Sequence, residues 1–184
     1  MSLDNPLPGW LTHQTGHGRT PRSRAVEVKN VQDRLATRPD DWSVDEETIR
    51  FDTKIAVLLR DDLAVWQRLN VTAFLVSGIA GTHPEVVGEP YEDADGTRYL
   101  PMFRQPVLVF EGSKELMGTA HERALRREIE HAVFTQELFA TGNDRDNRAA
   151  VKAVPTGELD LVGIALYGPK NAVDKVLKGA RMHH

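Results

Sequence analysis

The sequence of 184 residues contains no cysteine. This absence excludes a disulfide framework, a zinc ribbon, an iron–sulfur cluster and a catalytic thiol, and it fits a cytoplasmic location. A strong excess of positive charge is also absent, because 27 acidic residues outnumber 23 lysines and arginines and give a net charge of −4. The surface as a whole is therefore not expected to bind nucleic acid, although a local basic patch stays open.

Long apolar runs are lacking too. The longest weakly polar stretch, residues 71–81, is roughly half of what a membrane-spanning helix requires. The first ten residues, MSLDNPLPGW, have neither the basic start nor the apolar run of a signal peptide. The sequence therefore predicts a cytoplasmic protein without membrane contact.

Several motifs of well-known chemistry are missing. The sequence has no Gly-x-Gly-x-x-Gly after a strand, no Walker loop, no His-Glu-x-x-His and no Gly-x-Ser-x-Gly. The sequence therefore lacks the motifs that nucleotide-driven, zinc-protease and serine-hydrolase chemistry require. His121 and His131 lack carboxylates at ligand spacing and are interpreted as surface or packing residues. We predict no metal site and no cofactor.

Apolar residues recur in patterns that define the secondary structure. They predict strands over 54–59, 107–110, 133–135 and 159–167, and helices over 25–37, 63–81, 114–130, 149–154 and 171–178. The second of these helices is expected to be largely buried, and a tight turn is expected at Asp95-Gly96. Strands alternating with helices indicate an α/β layered domain over 51–184 with a small, mostly parallel sheet. Residues 1–50 are predicted to form an N-terminal extension with one short helix.

The first candidate site follows the first predicted strand, where α/β proteins tend to place functional groups. Asn70 is an amide within an otherwise apolar helix, so it needs a hydrogen-bond partner. A neighbouring backbone carbonyl and a bound ligand are equally good partners. The other polar residues of this group are Asp61, Asp62, Arg68 and Thr72.

The second candidate site follows the third predicted strand. Thr135 and Glu137 could orient a water molecule or a polar substrate while Arg148 binds an anion. The structural alternative is that Asn143 or Asp144 caps the next helix. The polar residues of the intervening loop, predicted over 141–148, include Asp146 and Asn147.

Six segments of the chain carry a resemblance to a known family. They are KIAVLLRDDL (54–63), LNVTAFL (69–75), DADG (93–96), FTQE (134–137), LVGIALYGP (161–169) and VDKV (173–176). Together, over about residues 52–180, they resemble the bacterial family called domain of unknown function 2000. That family looks similar in fold to type II peptidyl-tRNA hydrolases, which implies a three-layer α/β/α domain with a mixed sheet. The hydrolases share the Asp-Leu helix opening and the closing Gly-Pro helix.

The chain departs from the hydrolases at their catalytic positions. Their first helix carries a Lys-x-x-x-Gln-x-x-His pattern, where this chain has Arg68, Thr72 and Leu75. Their strand-end aspartate is replaced, with Thr135 or Glu137 nearest. The resemblance therefore implies the fold more strongly than the activity.

Two functions follow from these observations. The favoured hypothesis is a non-catalytic or altered-specificity binding domain for a small polar ligand or a partner protein. The alternative is a hydrolase of an ester-linked substrate such as peptidyl-tRNA, with Asn70, Thr135 and Glu137 as its catalytic groups. The helix over 63–81 is apolar on more than one face, which a homodimer and full burial inside the monomer explain equally well. The predicted ligand-binding residues are Asp61, Arg68, Thr72, Asn143, Asp146, Arg148 and Lys175.

Overall fold

Every strand and helix discussed below lies within residues 50–183, which a computed structural model describes; the predicted helix over 25–37 lies outside this range. The main strands and helices predicted within the range are found, with shifted ends. In chain order the elements are β1 (Thr53–Arg60), α1 (Val65–Thr82), β2 (Tyr91–Glu92), β3 (Arg98–Tyr99), β4 (Val107–Gly112), α2 (Lys114–Arg126), β5 (Glu130–Thr135), α3 (Asp144–Lys152), β6 (Leu161–Pro169), α4 (Lys170–Val176) and β7 (Arg181–Met182).

The main sheet has five strands in the order β5-β6-β1-β4-β7. Only β1 and β4 pair in parallel, and the other three pairings are antiparallel. The predicted mostly parallel sheet is therefore wrong, although the sheet is mixed as expected. The reason lies in β6, which enters between β5 and β1 and runs opposite to both. The chain leaves β5 and returns to β6 at the same end of the sheet, where the Gln136 amide donates to the Asp160 carbonyl at 2.8 Å.

Both faces of the sheet are covered by helices. Successive side chains of β1 point to opposite faces, so Val57 packs with Val71 and Leu75 of α1. Ala56 and Leu58 join the opposite core, which contains residues of α2 and α4 such as Met117 and Val173. Burial on both sides explains why β1 has a continuous apolar run instead of an alternating pattern.

Helix α1 lies on one of these faces, and its exposed side is apolar. Only Val71, Leu75 and Ile79 of this helix are buried. Leu69 and Phe74 are 68% and 53% exposed, so the prediction of a largely buried helix is wrong. The expected homodimer, which rested on the same apolar faces, stays a prediction. No helix within the described part of the chain is long and apolar enough to cross a membrane.

Helix α2 ends four residues before its predicted end at Glu130. Glu128 adopts a positive φ of 53° just beyond the helix. The Glu128 amide donates to the Leu125 carbonyl and the Ile129 amide to the Ala124 carbonyl, at 3.1 and 3.0 Å. This pattern is a Schellman motif, which satisfies the last carbonyls of a helix. The turn brings the buried Ile129 to the start of β5.

Helix α3 begins inside the stretch that was predicted as a polar loop. Asp144 starts the helix, so the predicted loop over 141–148 is wrong from Asp144 onward. The Asn143 side chain caps this helix by accepting from the Asp146 amide at 3.0 Å. A polar first turn carries no apolar periodicity, which is why the sequence pattern placed the start at Ala149.

The tight turn predicted at Asp95-Gly96 is confirmed. It joins β2 and β3, which pair through Tyr91 and Tyr99. Gly96 has a φ of 81°, a conformation that is favourable for glycine because glycine has no Cβ.

Candidate functional site

The candidate site is a cleft of about 460 Å³ between α1 and the strands β4 and β7. Small-molecule sites in proteins have volumes of about 300–1,000 Å³ and combine apolar walls with a few polar groups. This cleft has that composition. Its polar lining residues are Arg68, Thr72 and His183, and its apolar ones are Leu59, Leu69, Ala73, Val107, Leu108, Val109 and Met182.

The short strand β7 provides one wall of the cleft. Met182 pairs with Phe110 of β4, and the His183 amide donates to the Val109 carbonyl at 2.9 Å. These contacts bring the end of the described chain against α1. Met182 and His183 were not predicted as site residues.

Arg68 is held at the cleft by four hydrogen bonds. Its Nε donates to the Leu63 carbonyl at 2.9 Å and its Nη2 to the Asp61 carbonyl at 2.6 Å. Its Nη1 contacts Glu111 Oε2 at 3.1 Å and His183 Nε2 at 2.8 Å. Because a guanidinium has five N–H donors, one Nη2–H has no partner within residues 50–183. Arg68 is thus fixed in place with one donor available to a ligand.

The contact with Arg68 sets the hydrogen-bonding role of one His183 ring nitrogen. Arginine can only donate, so His183 Nε2 accepts in this contact and Nδ1 is the ring nitrogen left to donate. Nδ1–H is then a second donor of a cleft residue. Thr72 Oγ1 donates to the Arg68 carbonyl at 2.7 Å and keeps its lone pairs as acceptors. The polar side of the cleft therefore offers two donors and one acceptor.

The three predicted catalytic residues do not share a cavity. Thr135 is buried, with 1% of its surface exposed, and its hydroxyl has no partner among the described residues. Glu137 is exposed and Asn70 is half-buried. Neither lines a cavity described here. Asn70 lies one helical turn from Trp66 and from Phe74, on the side of α1 where their rings meet Phe139 and Phe134.

The predicted ligand-binding residues fall into three places. Arg68 and Thr72 line the cleft, and Asp61 contributes its carbonyl to Arg68. Lys175 lies on α4, which packs on the opposite face of the sheet from α1. Arg68 and Lys175 therefore do not belong to one binding site. The remaining predicted residues are Asn143, Asp146 and Arg148, which bond one another or their own helix α3.

A buried arginine that sequence reasoning missed lies at the end of β1. The Arg60 side chain is 9% exposed and contacts Asp62 at 2.7 Å and Asp160 at 2.8 Å. Its Nη2 donates to Gln136 Oε1 at 3.0 Å. These contacts join the ends of β1 and β5 to the start of β6. The sequence shows Arg60 only as the residue after an apolar run.

Asp160 Oδ1 also contacts Lys114 Nζ at 2.8 Å, and Lys114 is the first residue of α2. The hydrogen bond from Lys114, with the charge of Arg60, holds the pKa of Asp160 below its ordinary value. A depressed carboxyl pKa contributes stability at neutral pH that is lost as the pH falls through the folded-state pKa. Arg60, Asp62, Asp160 and Lys114 each have a partner of opposite charge. We therefore interpret this ion-pair group, called the Arg60 clasp, as structural.

A second cavity, of about 530 Å³, lies along β5 at the edge of the sheet. His83, which lines it, contacts Glu85 through Nδ1 at 3.0 Å and Glu130 through Nε2 at 2.5 Å. Burial lowers the pKa of His83, but the two carboxylates outweigh it and the pKa is raised above 6.5. Both ring nitrogens donate when the imidazole is protonated, so the fold favours the charged form.

This arrangement predicts a pH dependence of stability that depends on His83. A raised histidine pKa adds stability that is fully present below pH 6.5 and is lost as the pH rises through the folded-state pKa. We expect His83→Gln to lower the free energy of unfolding at pH 6 more than at pH 8.5 in urea titrations. Glu130→Gln should shift the stability in the same sense. An equal loss at both pH values would contradict the assignment.

Within residues 50–183, no three His, Asp or Glu side chains are grouped to hold a metal ion. The rings of His121 and His131 lie 5.4 Å apart, and His131 Nδ1 donates to the Ile129 carbonyl at 2.7 Å. Burial, followed by the charge of His131, lowers the pKa of His121. The lowered pKa favours the neutral form of the His121 ring.

Comparison with known proteins places this chain in a family. The model of a family described as protein of unknown function (DUF2000) matches residues 53–184, so the chain belongs to that family. No protein with curated function matches.

A solved structure is similar to this chain. Atu0240, a protein of unknown function from Agrobacterium tumefaciens strain C58, is 47% identical in sequence and has a TM-score of 0.72. The match covers 73% of this chain and 100% of that one. The comparisons thus identify the family and leave the activity to be argued from the site.

Proposed function

We propose that this protein binds a small amphipathic molecule in the cleft between α1, β4 and β7. The observation that carries the proposal is the lining of the cleft, in which apolar walls surround the fixed guanidinium of Arg68. This composition favours a ligand with an apolar body and one carbonyl or carboxylate group over a wholly polar ligand. The acceptor group would meet Arg68 Nη2 and His183 Nδ1, and a ligand hydroxyl would meet Thr72 Oγ1.

The charges and the lining of the cleft also favour binding over catalysis. The Glu111 carboxylate is shared between Arg68, at 3.1 Å, and Arg181, at 3.2 Å, so this group keeps one net positive charge. That charge favours an anionic ligand group, such as a carboxylate, at the Arg68 guanidinium. A general base within reach of the cleft is missing among its lining residues, apart from the ring of His183, whose Nε2 is occupied.

The proposal includes a fold related to that of type II peptidyl-tRNA hydrolases. It is supported by helices on both faces of a mixed sheet and by Gly168-Pro169 before α4. In this proposal, Arg68 and Thr72 occupy the positions of the lysine and the glutamine in the first-helix pattern of the hydrolases. Here they bind the ligand.

The proposal predicts that filling the cleft abolishes ligand binding. Ala73 is exposed and lines the cleft, so Ala73→Trp should occupy the ligand volume without disturbing the core. Ser77→Trp, one turn further along α1 and outside the cleft, is the matched control. We expect small aromatic and aliphatic carboxylates to raise the melting temperature of the wild type and of the control. At a ligand concentration of about a hundred times Kd, the free energy of unfolding should rise by about 2.7 kcal/mol.

Isothermal titration then decides the matter. Ala73→Trp should bind the same compound at least tenfold more weakly than Ser77→Trp. If no compound of this class shifts the melting temperature, or if Ala73→Trp binds as tightly as the control, the proposed function is wrong.

The alternative function, hydrolysis of an ester-linked substrate such as peptidyl-tRNA, has less support. It requires Thr135, which is buried, and Glu137, which is exposed, to act at one point with Asn70. We expect no release of tRNA from peptidyl-tRNA above background. Release that falls about a hundredfold in Asn70→Ala would reverse the choice.

A further inference from the structure

A small cavity lies at the amino end of β1, opposite the end that carries Arg60. It combines positive charge with an unsatisfied buried amide. It has a volume of about 210 Å³ and is lined by the residues before and at the start of β1 and β4 and by the first residue of α4. β1 and β4 are parallel with Ile55 opposite Val107, so their amino ends lie side by side. Thr53 also pairs with Pro169, which brings the start of α4 to the same place.

The amide of Gln105 is the feature that needs explaining. Gln105 is 7% exposed, and its Oε1 accepts from Thr53 Oγ1 at 3.1 Å. Its Nε2 has no hydrogen-bond partner among the described residues. Buried amide donors are nearly always paired, because an unpaired donor loses its hydration without compensation. Gln105 also lines the cavity, where an acceptor group of a ligand would complete the hydrogen bonding of this amide.

The charges around the cavity indicate which acceptor this is. Arg50 and Lys170 line it, and neither contacts a carboxylate within residues 50–183. Lys54 lines it too and is paired with Asp174. Within the described residues, Arg50 and Lys170 therefore carry two positive charges without a carboxylate partner. An anion with oxygen acceptors satisfies both the charges and the amide.

The size of the cavity limits the ligand. At about 210 Å³ it is smaller than the pockets that enclose a whole drug-sized molecule. Apolar groups of Phe51, Pro106 and Leu108 complete the lining. The cavity therefore suits one phosphate or carboxylate group carried on a small organic molecule.

We propose that Gln105, Arg50 and Lys170 form an oxyanion-binding site, distinct from the cleft at Arg68. The amide of Gln105 donates to one oxygen of the anion while the two cations neutralise its charge. Lys54 stays with Asp174 and supports the local positive potential.

The test uses inorganic phosphate as the probe, with acetate in a parallel titration, on the full chain at constant ionic strength. Isothermal titration measures the affinity of the wild type, Lys170→Gln and Gln105→Leu. Lys178→Gln is the matched control, because it removes the same charge from a residue that does not line the cavity. A nuclear magnetic resonance titration follows the side-chain amide of Gln105 directly.

We expect saturable binding of phosphate, at least tenfold weaker in Lys170→Gln and in Gln105→Leu and unchanged in Lys178→Gln. The Gln105 amide resonance should shift with the same saturation curve. Saturation by phosphate alone would assign the site to phosphate groups, and saturation by both anions would assign it to oxyanions generally. An absence of saturable binding, equal weakening in Lys170→Gln and Lys178→Gln, or an unmoved Gln105 resonance would overturn the proposal.

Discussion

Replacement of Arg60 by alanine is expected to lower the free energy of unfolding by about 2–4 kcal/mol. Removal of one partner from a buried ion pair costs about 3–5 kcal/mol, because the other charge is left unpaired. Here the cost is reduced, since the side chain of Asp62 is 62% exposed and Asp160 keeps Lys114. Gln136 loses its donor in addition. Urea unfolding at pH 7 measures the difference.

Arg145→Ala is the control for the Arg60 variant. Arg145 contacts Asp146 at 3.3 Å and its side chain is 86% exposed, so the loss of this pair should change the stability by less than about 1 kcal/mol. Arg60 would not be a clasp between the three strands if both variants lost the same amount.

Replacement of Gly163 by alanine is the second change with a large expected effect. A Cβ at Gly163 would lie 2.5 Å from Val71 Cγ1 and 2.9 Å from Leu75 Cδ1. Both are buried side chains of α1, so Val71 and Leu75 must shift, and we expect the helix to be displaced from β6 with them. Overpacking of this kind typically costs about 1–3 kcal/mol. The same displacement would move Arg68 and Thr72, so ligand affinity at the cleft should fall together with stability.

Gly118→Ala separates this steric effect from the general effect of replacing a glycine. A Cβ at Gly118 meets nothing within 4 Å, and the residue lies inside α2. We expect this variant to be more stable than the wild type by about 0.5–1 kcal/mol. Thermal unfolding of the two variants side by side should show shifts of opposite sign. A stability of Gly163→Ala equal to that of the wild type would mean that α1 can move without cost.

The sequence predicted local elements well because their signals are local. The apolar spacing that predicts a helix over 63–81 corresponds to α1, and the run over 54–59 corresponds to β1. Strand pairing has no such local signal. The insertion of β6 between β5 and β1 depends on the path of the 25 residues that connect β5 to β6. Because no local pattern indicates that path, the predicted parallel sheet was wrong.

The candidate cleft was predicted in part for the same reason. Arg68 and Thr72 lie four residues apart on one helix, so their proximity could be read from the sequence. Glu111 and His183 reach Arg68 from distant strands, and the two-residue β7 is too short to carry a periodic pattern. Gln105 stands between an arginine and a proline, and nothing in that sequence context indicates a buried amide.

The strand order also determines when the centre of the sheet can form during synthesis. β1 lies between β6 and β4, and Ile55 pairs with Tyr167, more than a hundred residues later in the chain. Contacts between such distant residues form slowly, because a long loop must close before they stabilise the chain. A ribosome adds about 5–20 residues per second, so β1 emerges many seconds before its antiparallel partner. For that interval β1 can pair with β4 along one edge, while the edge that later pairs with β6 stays open to association with other chains.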